Sequence, residues 1–140
     1  TTLLFWASVS GMREELVRVG FEELRTPEAV DQALARKGTT LLVVNSVCGC
    51  AAGKARPGIA LSLQGQHRPD HLTTVFAGGD VEATERARSY LAPYPPSSPS
   101  VALLKDGALV FMMERRDIES QPAHAIAARL QAAYEEFCRN

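Results

Sequence analysis

Hydrophobic and polar positions alternate between two periods along this chain, and the changes of period mark its elements. From Met12 to about Phe21, Leu16, Val19 and Gly20 share one face and Arg13, Glu14 and Glu15 the other, which predicts a helix. Thr26-Pro27 reads as an N-cap followed by proline in the first turn, and Val30, Ala33 and Leu34 form the apolar stripe of a short helix ending near Lys37-Gly38. Thr40-Leu41-Leu42-Val43-Val44-Asn45 is a short unbroken apolar run, the pattern of a strand buried on both faces. Ala51 to Leu63 returns to helical spacing, with Ile59, Ala60 and Leu63 inward and Lys54 and Arg56 outward. Pro57 is expected to kink or restart that helix. Gln64 to Asp70 is a loop and Leu72 to Phe76 a second strand. Gly78-Gly79 turns the chain, and Asp80 is placed to cap a helix over Val81 to Leu91. Ala92 to Ser100 holds four prolines and forms no regular element. Val101 to Lys105 and Ala108 to Met113 flank Asp106-Gly107, a strong hairpin signal. Arg115 to Ser120 is polar, and Ile126, Leu130, Tyr134 and Phe137 give the last helix its stripe.

This order of elements predicts an α/β fold. The strand–helix–strand units imply a parallel portion and the closing hairpin an antiparallel edge, so the sheet is mixed, with helices on both faces. At 140 residues, without internal repeats, the chain is expected to be a single domain over 1–140. A domain of this size buries roughly 68–70% of the surface its unfolded chain exposes and needs no staple.

Charge narrows the function. Fifteen Lys and Arg against sixteen Asp and Glu leave no basic excess for a polyanion, so no nucleic-acid partner is expected. No apolar run reaches about 18 residues, so no membrane span is expected. The apolar start, Thr1 to Ala7, lacks a basic flank and does not read as a signal peptide. With Trp6 it offers a surface for another subunit, and the oligomeric state stays open.

The cysteines carry the chemistry. Three are too few, and an odd number, for a disulfide scaffold. Cys48 and Cys50 flank Gly49, and a bridge between residues that close would constrain almost no chain. The pair sits where the first strand hands over to a helix, whose free N–H groups and dipole favour a thiolate. Gly49 lets the backbone bend so that the two sulfurs meet. The ring a C-x-C disulfide closes is small, and strain makes such a bond labile, which suits exchange. Lys54 and Arg56 either add positive potential or form a solvated helix face. Other readings of the thiols are ordinary buried cysteines, a redox sensor without turnover, or a Cu(I) or other metal-binding module. Two sulfurs alone leave a zinc site short of ligands. His67 and His71 are separated by Pro69 and read as loop residues, His124 as structural or exposed, and Cys138 as a surface thiol near a frayed terminus.

A second signal is Ser98-Pro99-Ser100-Val101, where a proline before a buried strand is a candidate cis peptide. The stretch Pro99 to Gly107 resembles the thioredoxin-fold segment that runs from the cis-proline through a strand to the hairpin turn, so the fold expected is thioredoxin-like. Val44-Asn45-Ser46-Val47-Cys48-Gly49-Cys50-Ala51-Ala52-Gly53 with Ala55-Arg56-Pro57 resembles the active-site block of the bacilliredoxins. So do Met12 to Leu16, Gly20 to Leu24 and Ser97 to Ser100, and the likeness runs from about Met12 to the final helix.

The resemblance implies a cytoplasmic thiol–disulfide oxidoreductase of bacteria that use bacillithiol as their low-molecular-weight thiol. Its activity would be removal of bacillithiol from client proteins, or exchange and isomerisation of disulfides. It implies Cys48 as nucleophile and Cys50 as resolving thiol. Pro99, Ser98 and Gly49 would be substrate-binding positions. No metal is implied and no cofactor beyond bacillithiol as co-substrate. The implied partners are S-bacillithiolated clients, bacillithiol and a disulfide reductase. Two departures from thioredoxin stand out. Leu42 is where thioredoxins bury a proton-shuttling carboxylate, and Val47 is where they carry tryptophan. A low thiol pKa must then do more of the activation.

Overall fold

A computed structural model describes residues 14–46 and 49–138, and for 49–52 the backbone only. The elements are α1 (residues 14–18), β1 (Glu22–Glu23), α2 (Pro27–Leu34), β2 (Thr39–Asn45), α3 (Gly49–Ser62), β3 (His71–Phe76), α4 (Val81–Ser89), β4 (Ser100–Lys105), β5 (Ala108–Met113), α5 (Arg115–Glu119) and α6 (Ala123–Phe137).

The five strands form one sheet in the order β1-β3-β2-β4-β5. β1, β3 and β2 are parallel, while β4 is antiparallel to β2 and β5 to β4. Every residue of β2 is buried, as its unbroken apolar run requires of the central strand. Its side chains alternate between two cores. Leu41 and Val43 join Val101 and Leu103 beneath α1, α3 and α6, while Leu42 and Val44 join Ala102 and Leu104 beneath α2 and α4. The mixed sheet with helices on both faces is therefore the observed architecture.

Local signals act as read. Thr26 Oγ1 accepts from the Ala29 amide at 3.1 Å, with Pro27 opening α2. Asp106 and Gly107 turn the β4–β5 hairpin at φ 51° and 84°, and Asp106 Oδ1 accepts from the Gly38 amide at 2.7 Å. Across α2 and α4, Asp31 accepts from Arg86 Nε and Tyr90 Oη, both at 2.7 Å. The Arg86 bond, then that of Tyr90, holds the Asp31 carboxyl below its ordinary value.

Several expectations are corrected. The first helix ends by residue 18, and the chain turns at Gly20 (φ 106°), leaving Val19 exposed. Glu22–Glu23 then pairs with Thr73 and Thr74 as an edge strand too short for any periodicity. Arg115–Glu119, read from the sequence only as polar, is a helix. Glu114 and Asp117 form a reciprocal capping box, and Ile118 is fully buried. Pro57 does not restart α3. It is exposed, as is Gly53 one turn earlier, so the carbonyl the proline leaves unpaired lies on the solvent side. Asp80 occupies the N-cap of α4 without a side-chain cap bond and instead lies 3.7 Å from Arg25 Nε.

Candidate functional site

The end of β2 leads directly into the cysteine motif. Val47 and Cys48 lie outside the described residues, as does the N-terminal stretch with Trp6. Gly49 and Cys50 open α3, which puts the motif at the helix N-terminus where the sequence places it.

β4 brings the second signal to the same end of the sheet. Its register with β2 runs from Thr39 opposite Lys105 to Val44 opposite Ser100. Pro99 therefore lies one residue beyond the last pair, beside the point where the chain leaves β2 for the cysteines. The Ser98–Pro99 bond is cis, and Pro99 is buried. The strand pairing joins two segments some fifty residues apart into one site. A second cis bond, Ala92–Pro93, lies in the same proline-rich connection.

The loop before Pro99 is tied down. Ser100 Oγ donates to the Ser97 carbonyl at 3.1 Å, the Arg115 amide to Ser97 Oγ at 3.4 Å, and an Arg115 guanidinium N–H to the Ser98 carbonyl at 3.4 Å. On the other side, Lys54 Nζ donates to the Glu119 carbonyl at 2.9 Å. The short helix α5 thus links the reactive helix to the cis-proline loop.

Arg56 corrects the sequence reading most. Expected on the outer face, its side chain is only 9% exposed. It reaches back under the strand–helix junction. Its Nη1 donates to Asn45 Oδ1 at 3.3 Å and to the Ser46 carbonyl at 3.4 Å, and its Nε to Glu15 Oε2 at 2.5 Å. Asn45 Oδ1 also accepts from the Ser46 amide at 2.9 Å. Glu15, Gly53, Arg56, Pro57 and Ala60 line an open cleft of about 390 Å³ between α1 and α3. The buried residue six before the first cysteine is Leu42, in the core under α2 and α4, so a carboxylate at that position is absent here.

The remaining candidates lie elsewhere. His67 lines a cleft with Gly65, Gln131 and Glu135 at the far end of α3, His71 Nε2 lies 3.2 Å from the Lys37 carbonyl, and His124 is exposed. Among the described residues no three His, Cys, Asp or Glu side chains gather as metal ligands would. Cys138 is not a surface thiol: it is 1% exposed within the core of α3 and α6. Burial pushes its pKa up, against a hydrogen bond to Thr39 that lowers it.

Parallel and antiparallel halves in this order, a cysteine motif at a helix start and a cis-proline beside it define a thioredoxin-fold redox protein. Comparison with solved structures agrees on the fold. Oxidised thioredoxin O2 of Arabidopsis thaliana superposes with a TM-score of 0.57 at 18% identity, covering 87% of this chain and 97% of that one. Oxidised mitochondrial thioredoxin 3 of Saccharomyces cerevisiae gives 0.55 at 13% identity, covering 83% and 94%.

Sequence comparison is more specific. The pattern of the disulphide isomerase family matches residues 6–138. A bacilliredoxin of Bacillus cereus is 60% identical over 126 residues, 90% of this chain and 88% of that one. Bacilliredoxins of Geobacillus kaustophilus and Cytophaga hutchinsonii are 58% and 53% identical, over 93% and 92% of this chain and 90% and 96% of theirs. The chain belongs to the bacilliredoxin family, and its role is thiol–disulfide redox chemistry.

Proposed function

We propose that this protein removes bacillithiol from client proteins, and exchanges their disulfides, through Cys48 and Cys50. The observation that carries this reading is the register of β4 with β2, which sets buried Pro99 beside the strand–helix junction from which the C-G-C motif emerges. A peptide docking along that loop would bring its sulfur to the start of α3.

The steps balance as follows. The Cys48 thiolate attacks the bacillithiol sulfur of the client's mixed disulfide. The client leaves as a thiolate, and Cys48 carries bacillithiol. The Cys50 thiolate then attacks the Cys48 sulfur, expelling bacillithiol as a thiolate and closing the Cys48–Cys50 disulfide. The client is reduced by two electrons and the dithiol oxidised by two. Two bacillithiol molecules, leaving together as bacillithiol disulfide, or a disulfide reductase supplying two electrons, restore the dithiol. Ser98, Pro99 and Gly49 shape the surface the client meets, and the setting is the cytoplasm of a bacterium that makes bacillithiol. With Leu42 in place of a carboxylate, activation falls to the thiol itself.

Mass spectrometry with a bacillithiolated client tests this. Cys48→Ser is expected to lower the reduction rate by several orders of magnitude. Cys50→Ser is expected to accumulate a bacillithiol adduct on Cys48. Full activity in Cys48→Ser overturns the role assignment. A single stoichiometric oxidation without turnover, or turnover abolished by a chelator, would favour a sensor or a Cu(I)-handling module.

A further inference from the structure

We propose that Arg56 is the positioning residue of this site: it fixes the end of β2 through Ser46 and Asn45, its buried charge favours the ionised form of Cys48, and Glu15 sets how strongly that charge is felt. The proposal rests on Cys48 being the nucleophile.

A buried guanidinium needs a reason. Taking a charge out of water is costly unless partners replace its hydration. Arg56 has three such partners, and two of them, Asn45 Oδ1 and the Ser46 carbonyl, belong to the last residues before the cysteine motif. Asn45 Oδ1 receives both Arg56 and the Ser46 amide, so one side chain organises the turn out of the strand. Ser46 lies two residues before Cys48. Covalent geometry alone keeps Cα atoms two apart within roughly 7.6 Å.

The ion pair is asymmetric. Arg56 is 9% exposed and Glu15 52%. Water screens the carboxylate more than the guanidinium, so the pair does not cancel, and a net positive potential remains on the junction side. Among the described residues, the other charges on the surrounding elements are Glu14 and Arg18 on α1, which pair with each other, Lys54 on α3, and Glu114, Arg115, Arg116, Asp117 and Glu119 around α5, where Asp117 faces Arg129. Lys54 donates to the Glu119 carbonyl, Arg115 pairs with Glu119, and Glu114 with Arg116. Only Arg56 among them is both buried and bonded to the strand end that leads to Cys48.

Glu15 makes the inference separable from mere scaffolding. Arg56→Met deletes the cation, whereas Glu15→Gln deletes only the countercharge and keeps an amide to receive Nε. If Arg56 only props up the turn, both changes weaken the same network and move Cys48 the same way. If its charge acts on the thiol, they move it in opposite directions.

The test is the pH dependence of iodoacetamide alkylation of the reduced full chain, with the Cys48 adduct located by mass spectrometry. Arg56→Met is expected to raise the Cys48 midpoint by about one pH unit, the order of the shifts that folded surroundings impose on side-chain pKa values. Glu15→Gln is expected to lower it, and Arg56→Lys to stay close to the parent. Opposite shifts with rescue by lysine establish the role. Unchanged midpoints, or shifts in one direction, overturn it. Should circular dichroism show Arg56→Met unfolded, Glu15→Gln decides alone: a lowered midpoint upholds the proposal, and an unchanged or raised one sinks it. If the parent Cys48 alkylates with an ordinary midpoint and reduces no mixed disulfide, the nucleophile assignment fails. If the parent is active and the variants are silent, only the role of Arg56 fails.

Discussion

A methyl group decides how closely α3 can approach α6. A Cβ on Gly58 would stand 2.9 Å from Ile126 Cγ2 and 3.0 Å from the Ala123 carbonyl oxygen. The carbonyl belongs to a backbone that moves only with its helix. Gly58→Ala gains helix propensity but overpacks this crossing, and the net expectation is destabilisation by about 1–3 kcal/mol in urea unfolding. An increase in stability would mean that α6 shifts freely. Other residues were misjudged although their spacing was legible. Arg56, Ile59 and Leu63 follow the i, i+3, i+7 rule, which puts arginine on the inner face, yet its charge argues for solvent. What sequence could not supply was Glu15, some forty residues away, together with the two acceptors at and just beyond the end of β2. Cys138 follows Ile126, Leu130 and Tyr134 at strict intervals of four and continues their stripe into the core. The nearby terminus argued for exposure.

Among the elements, α5 has the most influence for its length. Its first residue holds the loop before Pro99, and the carbonyl of its last receives Lys54 from α3. Arg115→Ala removes the bond to the Ser98 carbonyl. Because Arg115 is 43% exposed, global stability should fall by less than about 1 kcal/mol. Amide exchange over residues 97–101 should quicken while α2 and α4 keep their protection. Uniform quickening would show that α5 supports the whole fold and not this loop. Helices α2, α3, α4 and α6 and the four longer strands were legible because each carries a full period of apolar residues. β1 was not, because two residues are too few to show one. α5 contains a single buried apolar residue, and its signature was the Glu114-x-x-Asp117 box at its start.

For the molecule as a whole, two buried weak acids link stability to alkaline pH. Burial raises the pKa of Cys138. Burial also raises Tyr134, although its hydroxyl shares a 3.0 Å hydrogen bond with Ser62 Oγ. Each stays protonated in the folded chain at pH values where the unfolded chain has begun to ionise. Their contribution is complete below the unfolded pKa values, roughly 8.5 for the thiol and 10 for the phenol, and is lost as pH climbs from there through the folded values. Thermal melting should therefore fall from about pH 8.5 upward. Cys138→Ala should flatten the first part of the fall and Tyr134→Phe the second. A parent profile that stays level to pH 11 would contradict this.

The position of Cys138 beside Thr39 has a further consequence. Thr39 opens β2, and the chain leaving the other end of that strand carries Cys48 and Cys50. Seven residues of strand span about 20 Å, several times the reach of any S–S bond. Cys138 thus sits at the opposite end of the central strand from the start of α3. An S–S bond between Cys138 and the motif is expected to require the fold to open, so a covalent link through it would be a record that the molecule had come apart.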